Sequence, residues 1–150
     1  MLRSCGLGAV LLSLSLALGG CISPTDPLGR EEALEIAQKK YTELIRWGDV
    51  ERAVSYVEED MREDFLELAG SMKDLRITDF DIGEIEFTKD KATVTVTYHG
   101  YSEAVYVEHS AREVQEWERK EGLDNQWFVR PELDVVVAKL QGRASPARRN

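Results

Sequence analysis

The chain has 150 residues, of which 43% are hydrophobic and 31% are charged, and its 19 Lys and Arg residues are outnumbered by 28 Asp and Glu residues, giving a net charge of −9. This acidity argues against nucleic-acid binding, which needs basic surface to displace counterions, and against general adsorption to anionic lipid headgroups. The sequence therefore predicts no nucleic-acid partner, and its length is sufficient for one domain with a hydrophobic core.

The first residues have the pattern of a secretion signal. Arg3 precedes an uncharged apolar run of 14 residues from Cys5 to Leu18, which is too short to cross a hydrocarbon core of about 30 Å as a helix. The segment Leu18-Gly19-Gly20-Cys21 resembles the lipobox of bacterial lipoproteins, in which small residues precede the cysteine that receives the lipid. We predict a signal peptide over residues 1–20 and lipid attachment at Cys21; the alternative is an ordinary signal peptide with a chance cysteine.

The lipobox resemblance implies that lipid chains hold the mature protein at a membrane. Ile22 follows the cysteine, whereas an Asp there favours inner-membrane retention in enteric bacteria. If the host is Gram-negative, we therefore expect the outer membrane, with the domain facing the periplasm. Residues 21–29 contain two prolines and a glycine and predict a short tether. With Cys5 removed and Cys21 lipidated, no thiol remains for a disulfide, a zinc site or a catalytic cysteine.

Apolar residues at spacings of three and four predict an amphipathic helix from Arg30 to Trp47. Gly48-Asp49 is expected to end this helix and to cap a second, short helix that reaches Val57. A third helix is predicted from about Asp60 to Ala69, stopped by Gly70. Six acidic residues crowd this region, and we interpret them as a solvated helix face, with a docking patch for a basic partner as the alternative: Glu58, Glu59, Asp60, Glu63, Asp64 and Glu67.

The period then changes to that of strands. Leu75 to Phe87 approaches strand alternation, with a break near Asp81–Gly83, and residues 89–91 predict a turn. Apolar residues alternate strictly with threonines from Ala92 to Tyr98, which is the clearest strand pattern in the chain. Gly100 is predicted to be a second turn or a bulge.

The last third of the chain predicts two more strands and a helix. A long extended stretch from about Ala104 to Lys120 requires a register shift, and we predict a bulge near His109–Arg112. Residues 122–125 predict a turn and residues 127–129 a strand. After Pro131, four apolar residues share one helix face: Leu133, Val136, Val137 and Leu140. Residues 142–150 predict a flexible basic tail.

Three helices followed by a curved antiparallel sheet of about four strands is an α+β pattern. Two groups of residues carry a resemblance to the nuclear transport factor 2-like (NTF2-like) superfamily, the cone fold shared with ketosteroid isomerase and polyketide cyclases. They are Tyr41, Trp47-Gly48-Asp49 and Ala53 at the first helix junction, and Trp117-Glu118-Arg119, Gly122 and Trp127-Phe128-Val129 at the last hairpin. The resemblance implies a domain over residues 30–141, with the sheet wrapped around the first helix and a pocket between them.

The pocket of ketosteroid isomerase holds an aspartate base and an oxyanion hole made of a tyrosine and a protonated aspartic acid. The nearest candidates in this chain are Asp79, Asp81, Tyr41 and Tyr98. They do not match the family's catalytic positions one by one. We interpret the aspartates as turn residues and the tyrosines as core residues, so the sequence assigns no catalytic residue.

Neither metal binding nor serine catalysis is predicted. His99 and His109 are placed on different strands, and Glu108 points away from His109, so we expect ordinary surface or turn histidines rather than ligands. Three serines were candidates for a nucleophile, Ser71, Ser102 and Ser110, but none has the Gly-x-Ser-x-Gly pattern. The sequence also contains no glycine-rich phosphate loop. No cofactor is expected.

Five aromatic residues are candidates for lining the cone pocket, with core packing as the alternative: Tyr41, Trp47, Tyr98, Trp117 and Trp127. The sequence predicts a membrane-anchored, non-catalytic module that binds a small apolar ligand in the cone or an envelope protein on the sheet. The alternative is a small isomerase- or hydrolase-like enzyme that uses an acidic residue in the pocket. The superfamily resemblance also implies possible homodimerisation across the sheet face, which Thr93, Thr95 and Thr97 would make polar.

Overall fold

The computed structural model describes residues 29–121 and 125–143. The predicted signal peptide, Cys21, nearly all of the tether, residues 122–124 of the predicted turn and the tail from residue 144 lie outside these ranges. No helix within the described ranges is long and apolar enough to cross a membrane.

The described residues form four α-helices and one antiparallel sheet, with strand order β1-β2-β3-β4. The predicted α+β class is therefore confirmed. The helices are α1 (Arg30–Arg46), α2 (Val50–Ala53), α3 (Arg62–Gly70) and α4 (Leu133–Leu140), with 3₁₀ turns at Val54–Tyr56 and Glu59–Met61. The strands are β1 (Leu75–Thr88), β2 (Lys91–Ser102), β3 (His109–Arg119) and β4 (Trp127–Arg130).

The junction after α1 forms as predicted. Gly48 adopts a positive φ of 70°, a conformation that favours glycine and reverses the chain at the helix end. The side chain of Asp49 then accepts a hydrogen bond from the backbone N–H of Arg52 and caps α2.

Gly100 lies within β2 and pairs with both Ile77 on β1 and His109 on β3, so the predicted turn was wrong. The alternative prediction, a bulge, agrees with the register shift of the β1–β2 pair between Ile77 and Asp79, which lies opposite Gly100 and His99. A Cβ atom at this position would lie 2.3 Å from the carbonyl oxygen of Arg76, so only a residue without a side chain lets the two strands approach this closely.

The predicted bulge near His109–Arg112 was also wrong. β3 begins at His109, and its pairing with β2 runs without a shift from Lys91 opposite Glu118 to Gly100 opposite His109. The register shifts occur in β1 instead, between Ile77 and Asp79 and between Ile82 and Ile85. The second of these lies where the sequence pattern predicted a break.

The core lies between the inner face of the sheet and helices α1 and α4. α1 contributes Leu34, Tyr41 and Ile45, and β2 contributes the alternating Val94, Val96 and Tyr98. The four apolar residues predicted to share one face of α4 are all buried. α4 packs mainly on β3, so it closes one side of the cone that the curved sheet forms around α1.

The sheet has two ends along the strand direction, which we call proximal and distal: the β1–β2 turn lies at the proximal end and the β2–β3 connection at the distal end. At the proximal end the chain enters at Arg30, whose carbonyl accepts a hydrogen bond from Trp127 Nε1 at 3.1 Å and whose guanidinium lies 4.0 Å from Asp90 in the β1–β2 turn. At the distal end, residues 103–108 connect β2 to β3. The two ends are separated by the length of the 12-residue strand β2, roughly 36 Å for an extended chain.

Candidate functional site

The interior of the cone contains a group of buried polar side chains, which we call the interior polar cluster: Gln38, Thr42, Tyr98, Glu113 and Gln115. They come from the inward faces of α1, β2 and β3, and none is more than 2% exposed. Glu113 and Gln115 reach the interior because side chains alternate along β3, which buries every second residue from Ala111 to Trp117.

Hydrogen bonds connect the members of the cluster. Gln115 Nε2 donates to Glu113 Oε2 at 2.7 Å, and the Tyr98 hydroxyl donates to the same oxygen at 3.2 Å. Gln38 Nε2 donates to Thr42 Oγ1 at 2.9 Å, and Trp117 Nε1 donates to Gln115 Oε1 at 3.2 Å. The network orients the Glu113 carboxyl toward neutral donors.

Burial raises the pKa of Glu113 from 4.5 to about 7. The hydrogen bonds from Gln115 and Tyr98, and the nearby backbone amide of Glu132, lower this pKa but do not offset the loss of water. Burial, and then the Glu113 charge, likewise raise the pKa of Tyr41 and Tyr98 well above 10. The Glu113 carboxyl therefore changes its protonation state close to neutral pH.

Two buried atoms of this region make no hydrogen bond to any described residue: the Tyr41 hydroxyl and Glu113 Oε1. Around them the aromatic packing is close. The Tyr41 ring centroid lies 5.8 Å from that of Trp117 and 6.4 Å from that of Phe65. With Tyr41, Tyr98 and Glu113 all 0% exposed, no atom of this group is open to a substrate from solvent.

The five predicted pocket residues do not line one pocket. Tyr41, Tyr98 and Trp117 pack in the closed interior, whereas Trp47 is 76% exposed at the end of α1. Trp127 is buried beside an open depression of about 310 Å³ near the proximal end, whose other lining residues are Ala37, Ser55, Tyr56, Asn125, Gln126 and Phe128.

The sequence pattern did not point to Glu113, the one buried carboxyl among the residues that the structure describes. Its burial could have been inferred from the alternation along β3, because Glu113 lies two residues after Ala111 and four before Trp117 and so shares their face of the strand. The expected bulge at His109–Arg112 hid that alternation. The two aspartates that were considered instead are not turn residues, and that prediction was wrong: Asp79 and Asp81 lie within β1, with side chains 72% and 77% exposed.

His99 links three strands on the outer face of the sheet. Its Nδ1 lies 2.9 Å from Ser110 Oγ on β3, and its Nε2 lies 2.9 Å from Asp81 Oδ2 on β1. The residue types are those of a hydrolase triad, but Asp81 is largely exposed, so bulk water is not excluded from the group and no enclosed site surrounds it. The contacts join neighbouring strands. His99 and His109 occupy different strands, as predicted, and the described residues contain no group of three side chains that could hold a metal ion.

No protein-family model and no curated protein matches the chain. Several solved structures are similar to it, and three are described here. A SEC-C motif-containing protein from Rhodopseudomonas palustris is 12% identical over 64% of this chain and 74% of its own, with a TM-score of 0.54. A ketosteroid isomerase-like protein from Erwinia carotovora atroseptica is 14% identical over 65% of this chain and 88% of its own, with a TM-score of 0.52.

The third, from Campylobacter jejuni, is named as an NTF2-like transpeptidase; it is 17% identical over 63% of this chain and 94% of its own, with a TM-score of 0.45. At such low identities the likeness concerns the fold and no residue roles. The described part of the chain has an α+β fold, in which helices pack on a four-stranded antiparallel sheet, and it shares this fold with the ketosteroid isomerase-like protein.

Proposed function

We propose that the protein is a membrane-anchored bacterial lipoprotein whose cone-fold domain is a non-catalytic binding module for another protein of the cell envelope. The observation that carries the binding role is the closed interior: Glu113, the acidic residue of the cone, has no exposed surface. The lipobox-like segment Leu18-Gly19-Gly20-Cys21 supports the anchor.

The alternative, an enzyme that uses an acidic residue in the cone, has one observation in its favour. Glu113 has a pKa of about 7 and accepts a hydrogen bond from Tyr98, which suits acid–base chemistry. A general acid must nevertheless come within hydrogen-bond reach of the reacting atom, and Glu113 has no exposed surface that a substrate from solvent could reach. The same complete burial argues against entry of a small apolar ligand beside Glu113.

Metabolic labelling tests the anchor. Bacteria that express the full chain and are grown with a radiolabelled fatty acid should incorporate label into the wild-type protein, and Cys21→Ser should abolish it because only the thiol forms the thioether. Cys5→Ser is the matched control and should retain the label, since Cys5 lies within the predicted signal peptide. Unlabelled wild-type protein, or the intact precursor in the cytosol, would contradict the anchor.

Chemical crosslinking and co-purification from membranes, with the native anchor in place, test the binding role. A small set of recurrent protein partners is expected. Recovery of a stoichiometric lipid or small apolar molecule in place of protein partners would instead support a ligand-binding cone and contradict the proposal.

A further inference from the structure

Two oxygen atoms in the interior of the domain are buried without a hydrogen-bond partner among the described residues: the Tyr41 hydroxyl on α1 and Glu113 Oε1 on β3. Both residues are 0% exposed. A buried polar atom normally has a partner, because without one it loses the hydrogen bonds that water makes to it in the unfolded chain. The two atoms therefore indicate that a further polar group belongs to this part of the interior.

The two oxygen atoms belong to one small region where α1 faces β3. The Tyr41 ring lies 5.8 Å from that of Trp117, measured between centroids, and Trp117 Nε1 donates a hydrogen bond to Gln115 Oε1. Gln115 in turn donates to the other carboxyl oxygen of Glu113 at 2.7 Å. After burial, the Glu113 charge is the largest cause of the raised pKa of Tyr41, as expected for neighbouring groups. One ligand between the two residues can therefore serve both atoms.

The hydrogen bonds at Glu113 determine which of its oxygens carries the proton of the neutral carboxyl. Oε2 accepts from Gln115 Nε2 at 2.7 Å and from the Tyr98 hydroxyl at 3.2 Å, so it acts as an acceptor. The proton therefore lies on Oε1, which is a donor in the neutral form and an acceptor in the ionised form. A partner of Oε1 must be able to accept in one state and to donate in the other.

These requirements fit water better than an ion or an organic molecule. Water both donates and accepts hydrogen bonds, so it satisfies either protonation state of Glu113. An anion would meet no basic side chain among the buried residues, and the described residues contain no group of three side chains that could hold a metal ion. Because both residues are completely buried, the smallest polar ligand is also the one that the interior accommodates most easily.

We propose that one water molecule is bound inside the domain between Tyr41 and Glu113, where it forms hydrogen bonds with the Tyr41 hydroxyl and with Glu113 Oε1. The water links α1 to β3 and completes the hydrogen bonding of the two residues. This site goes beyond the proposed binding role, since it depends neither on the membrane anchor nor on a protein partner, and its tests leave the proposed function untouched.

Magnetic relaxation dispersion of the water oxygen nuclei counts the water molecules that a protein holds for longer than its tumbling time. With the full-length protein in detergent, we expect Tyr41→Phe to lower the count by one, because it deletes one of the two partners of the water. Tyr56→Phe is the matched control. It removes the same hydroxyl group from a tyrosine that lines the open depression, and it should leave the count unchanged. Equal counts for the wild type and Tyr41→Phe would contradict the inference.

The stability of the same variants distinguishes a hydrated site from a dry one. If water satisfies the Tyr41 hydroxyl, Tyr41→Phe should raise the equilibrium constant for unfolding about fivefold relative to Tyr56→Phe, which is the effect of one net hydrogen bond. If the hydroxyl has no partner, its removal eliminates an unfavourable buried group, and the constant should stay the same or fall. Urea denaturation measures the constant, and the second result would overturn the inference.

A high-resolution crystal structure of the full-length protein tests the position of the water. We expect one peak of electron density about 2.8 Å from both the Tyr41 hydroxyl oxygen and Glu113 Oε1, and we expect Tyr41→Phe to lack it. Three results would each refute the inference: no peak at this position, a direct hydrogen bond between the two side chains, or a metal ion or organic molecule in place of water.

Discussion

Glu113 is the residue at which the fold departs most from an ordinary hydrophobic core. A buried carboxylate loses its hydration, and here the compensation comes from neutral donors on Gln115 and Tyr98. The carboxyl therefore holds its proton up to a pH of about 7 in the folded state. In the unfolded chain it ionises near its ordinary pKa.

This raised pKa predicts a pH-dependent stability. Below pH 4.5 the carboxyl is protonated in both states, so its favourable contribution is complete; it is lost as the pH rises toward about 7. The loss amounts to about 3 kcal/mol, because one pKa unit corresponds to about 1.4 kcal/mol. Glu113→Gln should reduce the difference in the free energy of unfolding between pH 5 and pH 8, measured by urea denaturation.

Glu108→Gln is the matched control, since Glu108 is an exposed carboxylate, and it should leave the pH dependence close to that of the wild type. The carboxylates of Asp49 and Asp90, whose pKa values are lowered by hydrogen bonds to Arg52 and Arg119, contribute the opposite trend equally in every variant. Parallel pH profiles for the wild type and Glu113→Gln would show that the carboxyl ionises normally.

At the scale of single residues, the sequence indicated which side chains are aromatic and apolar but not where they lie. Trp117 and Trp127 are buried while Trp47 is exposed, because Trp47 follows the last turn of α1 on its outward side. Glu113 is equally hard to find, since a charged residue at an inward strand position looks like a surface residue until the neighbouring strands are placed.

Among the elements, the β1–β2 pair depends on Gly100. A methyl group there would lie 2.3 Å from the Arg76 carbonyl oxygen and 3.0 Å from the Ile77 Cα, and these are backbone atoms that move only with the strand. Gly100→Ala should therefore destabilise the domain by about 3 kcal/mol, at the upper end of the usual cost of overpacking. Chemical denaturation measures this change.

Gly70→Ala provides the comparison for that substitution. Gly70 ends α3, has no atom within 4 Å of the added Cβ and has no positive φ. Its replacement should be neutral or stabilise the protein by about 0.5 kcal/mol through helix propensity. Equal effects of the two substitutions would mean that the close approach of β1 to β2 has little energetic importance.

The elements with a regular apolar period were predictable. The spacing of three and four from Arg30 gave α1, and the strict alternation from Ala92 gave β2. A glycine predicts either a turn or a bulge, and the sequence alone does not decide between them. Gly100 continues β2, and its missing side chain permits the close approach of β1 beside a register shift. The sequence predicts an extended stretch from about Ala104 because Val105 and Val107 have high strand propensity, but β3 begins at His109.

For the molecule as a whole, the order of elements was sufficient to predict the α+β fold, but not that the described polar residues inside it are closed to solvent. Whether space remains between helix and sheet depends on the volumes of side chains such as Tyr41 and Trp117, which meet only in three dimensions. The exposure of Val105, Tyr106 and Val107 was not predicted for a related reason, because exposure is a property of the assembled surface.

The charge of the whole molecule makes a further prediction. With Asp and Glu in excess by 9 over the chain, repulsion between carboxylates opposes the compact state, and salt screens it. The midpoint of thermal unfolding at pH 8 should rise when sodium chloride is increased from about 20 to about 500 mM. Over this range the Debye length falls from roughly 20 Å to roughly 4 Å. Sucrose at matched osmolality is the control; a midpoint that falls with salt would mean that attractive ion pairs dominate.

The placement of α4 against β3 has a consequence for protein design. The helix begins next to Glu132, whose backbone amide lies near the Glu113 carboxyl. The side chains of Val136, Val137 and Leu140 are buried on the inner face of this helix. Shortening one of these side chains would leave a cavity in the core between α4 and β3, the strand that carries Glu113. Such a cavity is the natural starting point for designing an artificial ligand site in this fold.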